Sequence, residues 1–268
     1  MRLTDFFSTH PVFTADEFAD FLSGRGSANP WTRKALLAHH RSQGHILRVR
    51  RGLYAVVPPG MTPEDSPVDP FLLAAKAASD AVLAYHTALE FHGRAYSLTN
   101  RILYLTSQTV RPWAFRLYRL KGVAIPKRLL DARRQDYGIV SRERAGMPVA
   151  VTSLERTLVD VLDRPSLGGG WEEIWRSLES VEFFDLRQVV EYALMLGNAT
   201  TVAKVGFYLE QHRETLMVED AHLAPLRKLI PREPHYMARE ERGSGRLLDA
   251  WNLVVPVAVI ERAWATVT

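Results

Sequence analysis

Apolar residues recur at helical spacing over the first forty or so positions and then switch to strict alternation, and this change of period organises the start of the chain. Thr14-Ala15-Asp16-Glu17 has capping-box spacing, with the Thr14 hydroxyl facing the third amide of a helix and the Glu17 carboxylate reaching back. The helix it opens, Ala15 to Leu22, gathers Phe18, Phe21 and Leu22 on one side. After a polar connection, Asn29-Pro30 supplies N-cap and first-turn chemistry for a second helix that runs to about Gln43 and stops at Gly44. His45 to Arg50 then alternates, turns at Arg51-Gly52 and returns as Leu53 to Val57, which predicts a β-hairpin. Helix, turn, helix and basic hairpin, in that order, predict a winged helix-turn-helix over residues 1–57.

A break follows. Four prolines and a glycine crowd residues 58–67, where neither a helix nor a central strand can continue, and 58–68 reads as a linker. Asp69-Pro70 restarts the chain as a helix N-terminus, and residues 69–268 read as a second, larger domain. Its pattern is mixed. Ala81 to Gly93 reads as a short strand running into a helix; strand-like runs follow at 101–106, 115–120, 137–141 and 149–151; helical ones follow at 154–163, 171–178, 186–196, 201–212 and 224–229; and 251–256 closes as a strand. The fold class expected is α+β, an N-terminal winged helix-turn-helix followed by a larger mixed domain.

Composition narrows the chemistry. None of the 268 residues is cysteine, which excludes disulfide scaffolds, thiol nucleophiles and zinc-thiolate sites and fits a reducing cytoplasm. No stretch approaches the run of about 18 apolar residues needed to span a membrane. The net charge of +4 conceals alternation: +4 over residues 1–57, −4 over 58–93, +9 over 94–144 and −5 over 145–268. Stepping along the second helix puts Leu36, Leu37 and His40 on one side and Trp31, Lys34, Ala38 and Arg41 on the other. Thr32, Arg33 and Lys34 in its first turn, with Arg41, Arg48, Arg50 and Arg51, are the expected DNA-binding residues, since cations there reach phosphates and base edges. Arg116 and Arg119 in the +9 block are candidate nucleic-acid or partner contacts, although the same alternation describes the polar face of a half-buried sheet.

Enzyme signatures are missing. Gly243-Ser244-Gly245 is followed by Arg246 and a single Asp249 rather than paired acidic metal ligands, and no P-loop, His-Glu-x-x-His or Gly-x-Ser-x-Gly occurs. His86, Glu90 and His92 do not share one helical face, so no metal or other cofactor is expected. Scattered carboxylates such as Asp136, Glu143 and Glu155 leave a divergent nuclease as the enzymatic alternative, and a ligand-responsive repressor is the regulatory one.

Several segments carry a family likeness: Gly44 to Tyr54, Tyr85 to Gly93, Val151 to Asp160 with Gly169-Gly170 downstream, Lys204 to Glu210, and Trp251 to Pro256. In this order they resemble the AbiEi-type antitoxins of bacterial abortive-infection (type IV) toxin–antitoxin systems, over about residues 10–256. The resemblance implies a winged helix that binds duplex DNA in the promoter of its own operon and a C-terminal domain that counteracts a nucleotidyltransferase-like toxin; because one small winged module makes few base contacts, inverted or repeated sites are expected. Thr152 and Glu155 have capping-box spacing, and Arg156 with Asp160 is an i, i+4 pair, so a helix start accounts for that segment; Arg156 is also kept as a candidate partner contact.

Overall fold

The computed structural model describes residues 3–24, 26, 29–237 and 245–266; Gly243 and Ser244 of the glycine-serine turn lie outside them. The first elements are α1 (Leu3–Thr9), β1 (Val12–Thr14), α2 (Ala15–Ser23), α3 (Pro30–Ser42), β2 (Ile46–Arg50) and β3 (Leu53–Val56). Each starts for a local reason. The Thr14–Glu17 capping box closes reciprocally, the Glu17 amide donating to Thr14 Oγ1 at 3.1 Å and the Thr14 amide to Glu17 Oε2 at 2.8 Å. The Trp31 amide donates to Asn29 Oδ1 at 2.9 Å, with Pro30 as first residue of α3. β1, which the alternation did not announce, pairs antiparallel with β3 (Val12↔Ala55), giving a three-stranded sheet of order β1-β3-β2. Phe6, Phe13, Phe18, Leu22, Leu37 and Ile46 form the core beneath these helices and strands.

The chain continues through α4 (Pro70–Ala75), β4 (Val82–Leu83), α5 (His86–Phe91), β5 (Arg101–Thr106), β6 (Trp113–Phe115), β7 (Tyr118–Ala124), α6 (Lys127–Asp131), β8 (Ile139–Arg144) and β9 (Met147–Thr152). These strands make a six-stranded sheet, order β6-β7-β5-β4-β9-β8, in which β4 pairs antiparallel with β5 and parallel with β9. The single strand expected over 115–120 is a hairpin: Arg116 takes φ +52 at the turn between β6 and β7. A non-glycine residue in that conformation gives no sequence signal.

The helices that follow are α7 (Leu154–Asp163), α8 (Trp171–Glu179), α9 (Leu186–Leu196), α10 (Ala199–Gln211) and α11 (Asp220–Arg227), before β10 (His235–Tyr236), β11 (Gly245–Leu248), β12 (Leu253–Pro256) and α12 (Val257–Glu261). α7 packs on α9 and α10, and β10-β12-β11 form a small third sheet. The N-cap of α7 is Ser153, whose hydroxyl accepts from the Arg156 amide at 3.3 Å. Thr152, expected to be that cap, sits instead with its hydroxyl 2.7 Å from that of Thr157. The class is α+β, and no described helix is long and apolar enough to cross a membrane.

By compactness the chain divides into unit 1 (Met1–Leu83, Asn100–Val123, Ser141–Val151) and unit 2 (Ala84–Thr99, Ala124–Val140, Thr152–Thr268). The proline-rich stretch expected as a linker thus belongs to unit 1. It is clasped there: the Arg116 guanidinium donates to the carbonyls of Pro63, at 2.7 Å, and Ser66.

Candidate nucleic-acid interface

In unit 1, α3 buries Leu37 and turns Leu36 partly inward, leaving Trp31, Lys34, Ala38 and Arg41 exposed on the opposite side. Thr32 and Arg33 are half-buried, and Arg33 leans back toward Asp16 of α2 at 4.0 Å. On the hairpin, Arg48 and Arg51 are exposed. Four of the seven expected DNA-binding residues, Lys34, Arg41, Arg48 and Arg51, therefore present their charge to solvent.

Arg50 does not. The β2–β3 register shifts between Arg48 and Arg50 because a bulge interrupts the alternation, so the two arginines no longer share a face. Arg50 is half-buried, donates to the Ala77 carbonyl at 2.6 Å and lies 4.6 Å from the centroid of the Trp113 ring. Beside it Lys76 pairs with Glu17. Burial raises the Glu17 pKa, but Lys76 and the Thr14 amide outweigh it and hold the carboxyl below its ordinary range. Arg50, Lys76 and Glu17 line a cleft of about 560 Å³ together with Arg51, Ser79 and Gln108. No sequence signal marked Lys76 or this cleft, because its walls come from segments far apart in the chain.

The two other cationic candidates of unit 1 differ. Both are exposed, but Arg116 commits its guanidinium to the Pro63 and Ser66 carbonyls, whereas Arg119 lies on β7.

Arg156, in unit 2, is not a surface contact. Its side chain is 1% exposed; Nη1 donates to the carbonyls of Tyr137 (2.6 Å) and Gln135 (3.1 Å), Nε faces Asp160 Oδ2 at 3.4 Å, and the guanidinium lies 5.3 Å from the Tyr192 ring centroid. The Tyr192 hydroxyl donates to Asp160 Oδ1 at 2.7 Å. Gly138 makes room for the approach of this loop, since a Cβ there would stand 2.9 Å from that of Arg156. Burial pushes the Asp160 carboxyl up, while Arg156 and the Tyr192 hydroxyl pull it back. A desolvated cation ringed by acceptors holds a core together and offers nothing to a partner.

A second buried cluster of unit 2 centres on His86. Its Nδ1 is 2.9 Å from Glu90 and its Nε2 is 3.0 Å from Glu173, which also accepts from the Ser97 hydroxyl at 2.6 Å. His92, weighed with His86 and Glu90 as a metal set, instead directs Nε2 at the Thr152 carbonyl at 2.8 Å. Burial disfavours the charged His86 ring, but the two carboxylates outweigh it and raise the pKa above 6.5. A raised folded-state pKa gives stability that is complete below the unfolded value and is lost as pH climbs through the folded one. Thermal melts at stepped pH from about 6 to 9 should therefore fall more steeply for the natural chain than for His86→Gln. Parallel slopes would remove His86 from the account.

No family model matches the chain, and no curated protein matches it. Among solved structures it is similar to the crystal structure of the RV2827C protein from Mycobacterium tuberculosis, with a TM-score of 0.60 and 17% identity over 99% of this chain and 94% of that one. At that identity the likeness is one of fold.

Proposed function

We propose that the chain is an antitoxin and a repressor of its own operon, binding promoter DNA through a winged helix-turn-helix and counteracting a nucleotidyltransferase-like toxin. The observation that carries the DNA half is α2 and α3 closed by a three-stranded sheet, with Lys34 and Arg41 on the outer side of α3 and Arg48 and Arg51 on the hairpin. α3 is the groove helix and the β2–β3 hairpin is the wing. One such module makes few base contacts, so tight binding calls for inverted or repeated sites.

The antitoxin half rests on the resemblance to AbiEi-type proteins. Its support is that four of the segments carrying the likeness meet in pairs within unit 2: His86 lies beside Gly169, and Trp251 seats on Gly206. The cleft beside Arg50 and Lys76 favours one alternative, a repressor whose wing responds to a small polar ligand. Thermal-shift screening of the full chain against metabolites separates the two readings.

The test of the proposal is a titration of the full chain on a duplex from its own upstream region at several salt concentrations. Replacing Arg48 and Arg51 with alanine should weaken binding and flatten the log–log salt slope by about 1.8, roughly 0.9 for each phosphate no longer neutralised. Arg50→Ala should lower the melting temperature instead, because its partners are Ala77 and Trp113. An unchanged slope in the double variant overturns the DNA assignment. With the neighbouring toxin driven from an unrelated promoter, the Arg48/Arg51 variant should still rescue growth; a folded chain that fails to do so overturns the antitoxin assignment.

A further inference from the structure

Charge does not explain the most prominent group on α3. Trp31, the second residue of the helix, is 76% exposed, although α3 has an apolar core available on its other side through Leu36 and Leu37. Its place is fixed by the helix start, where its amide is held by Asn29. At about 100° per residue, Trp31, Ala38 and Ser42 fall within about 20° of one line along the helix, with Ala35 about 40° to one side and Lys34 and Arg41 about 60–80° to the other. All six are exposed. The outward ridge is thus an indole at the N-terminal end with small side chains behind it, flanked along one side by cations. Lys34 Nζ stands 5.9 Å from the ring centroid.

A duplex fits this ridge. The first residues of a helix-turn-helix recognition helix are those that reach base edges, and in the major groove thymine alone presents a methyl group. Alanine and serine behind the ring let the helix axis lie close to the groove floor, and a flank of Lys34 and Arg41 matches a phosphate backbone in sign. Resting on the reading of residues 1–57 as a DNA-binding module, we infer that Trp31 is the specificity residue of α3, packing its indole against a thymine C5-methyl while Lys34 and Arg41 hold the adjacent phosphates.

The experiment uses the full chain and duplexes selected by it from a random library. Each thymine of the selected site is replaced singly by deoxyuridine, which removes the C5-methyl and little else. For the natural chain, one or two such replacements should weaken binding about fourfold, the loss expected for one buried methyl. Trp31→Ala should bind the unmodified site about tenfold or more weakly and be indifferent to the same replacements. Trp31→Phe, which keeps an apolar ring, should retain part of the methyl sensitivity. Because the residue is exposed, all three chains should melt alike.

If the deoxyuridine penalty persists in Trp31→Ala, or no thymine shows one in the natural chain, the inference fails while DNA binding stands. Equal affinity of Trp31→Ala and the natural chain overturns it as well. If the library yields no duplex at all, the inference and the DNA-binding reading fall together.

Discussion

Arg156→Met should lower the stability of the chain by about 3–5 kcal/mol, the loss expected when one partner is removed from a buried ion pair. At roughly 2–4 °C per kcal/mol for chains of this size, the melting temperature should drop on the order of 10 °C. The reason is what remains behind. Without the guanidinium, Asp160 keeps a desolvated carboxylate with the Tyr192 hydroxyl as its remaining donor, and the Tyr137 and Gln135 carbonyls lose theirs. Combining Arg156→Met with Asp160→Asn should recover a good part of the loss, because the stranded charge goes while an acceptor for Tyr192 stays. Calorimetry of the two single variants and the double variant checks this. A melting temperature for Arg156→Met within about 2 °C of the natural chain would show that the network is not what holds this part of unit 2 together.

Gly206→Ala should also destabilise, against the usual direction for a helix interior. Alanine is favoured over glycine there by about 1 kcal/mol. In α10, however, a Cβ at residue 206 would overlap the six-membered ring of Trp251, 2.6 Å from Cε3 and closer to Cζ3 and Cη2. The ring has little freedom to move: Trp251 is fully buried, its Nε1 donates to Glu210 at 2.7 Å, and Arg227 lies 5.6 Å from its centroid. Overpacking of this kind costs about 1–3 kcal/mol, and backbone carbons cannot rotate away as a side-chain tip can. Set against the helix-propensity gain, the net expectation is a loss of up to about 2 kcal/mol, partly restored by adding Trp251→Phe. Urea unfolding decides the matter, and a Gly206→Ala chain as stable as the natural one would mean that the ring has room to shift.

What could be read from the sequence was local. The capping box at Thr14, the Asn29-Pro30 and Asp69-Pro70 starts, and the limits of α7 and α9 are set by neighbouring residues, and they form as the pattern predicts. The division of α3 into an inner and an outer side was legible too, because its period survives a weak apolar contrast. The failures share a cause. The β6–β7 turn at Arg116 uses a backbone conformation its residue type does not advertise, and α11, expected over 224–229, starts earlier, at a Glu219–His222 box whose histidine does not advertise a cap. The destinations of Arg50, Arg116 and Arg156 depend on carbonyls supplied from elsewhere in the chain, and a count of cations along the sequence gives each of them the same weight as Arg51.

The way the two units share the polypeptide bears on how such a protein can be inherited and dissected. The backbone passes from one unit to the other at 83/84, 99/100, 123/124, 140/141 and 151/152, so neither unit corresponds to an uninterrupted stretch of gene. A recombination breakpoint in the proline-rich segment, which looks from the sequence like a natural seam, would separate the α2–α3 module from the strands and the Arg116 clasp that complete its own unit. Changes in the surface chemistry of α3 and the hairpin should therefore arise by point replacement rather than by cassette exchange, and chain termination anywhere before residue 152 should leave neither unit whole.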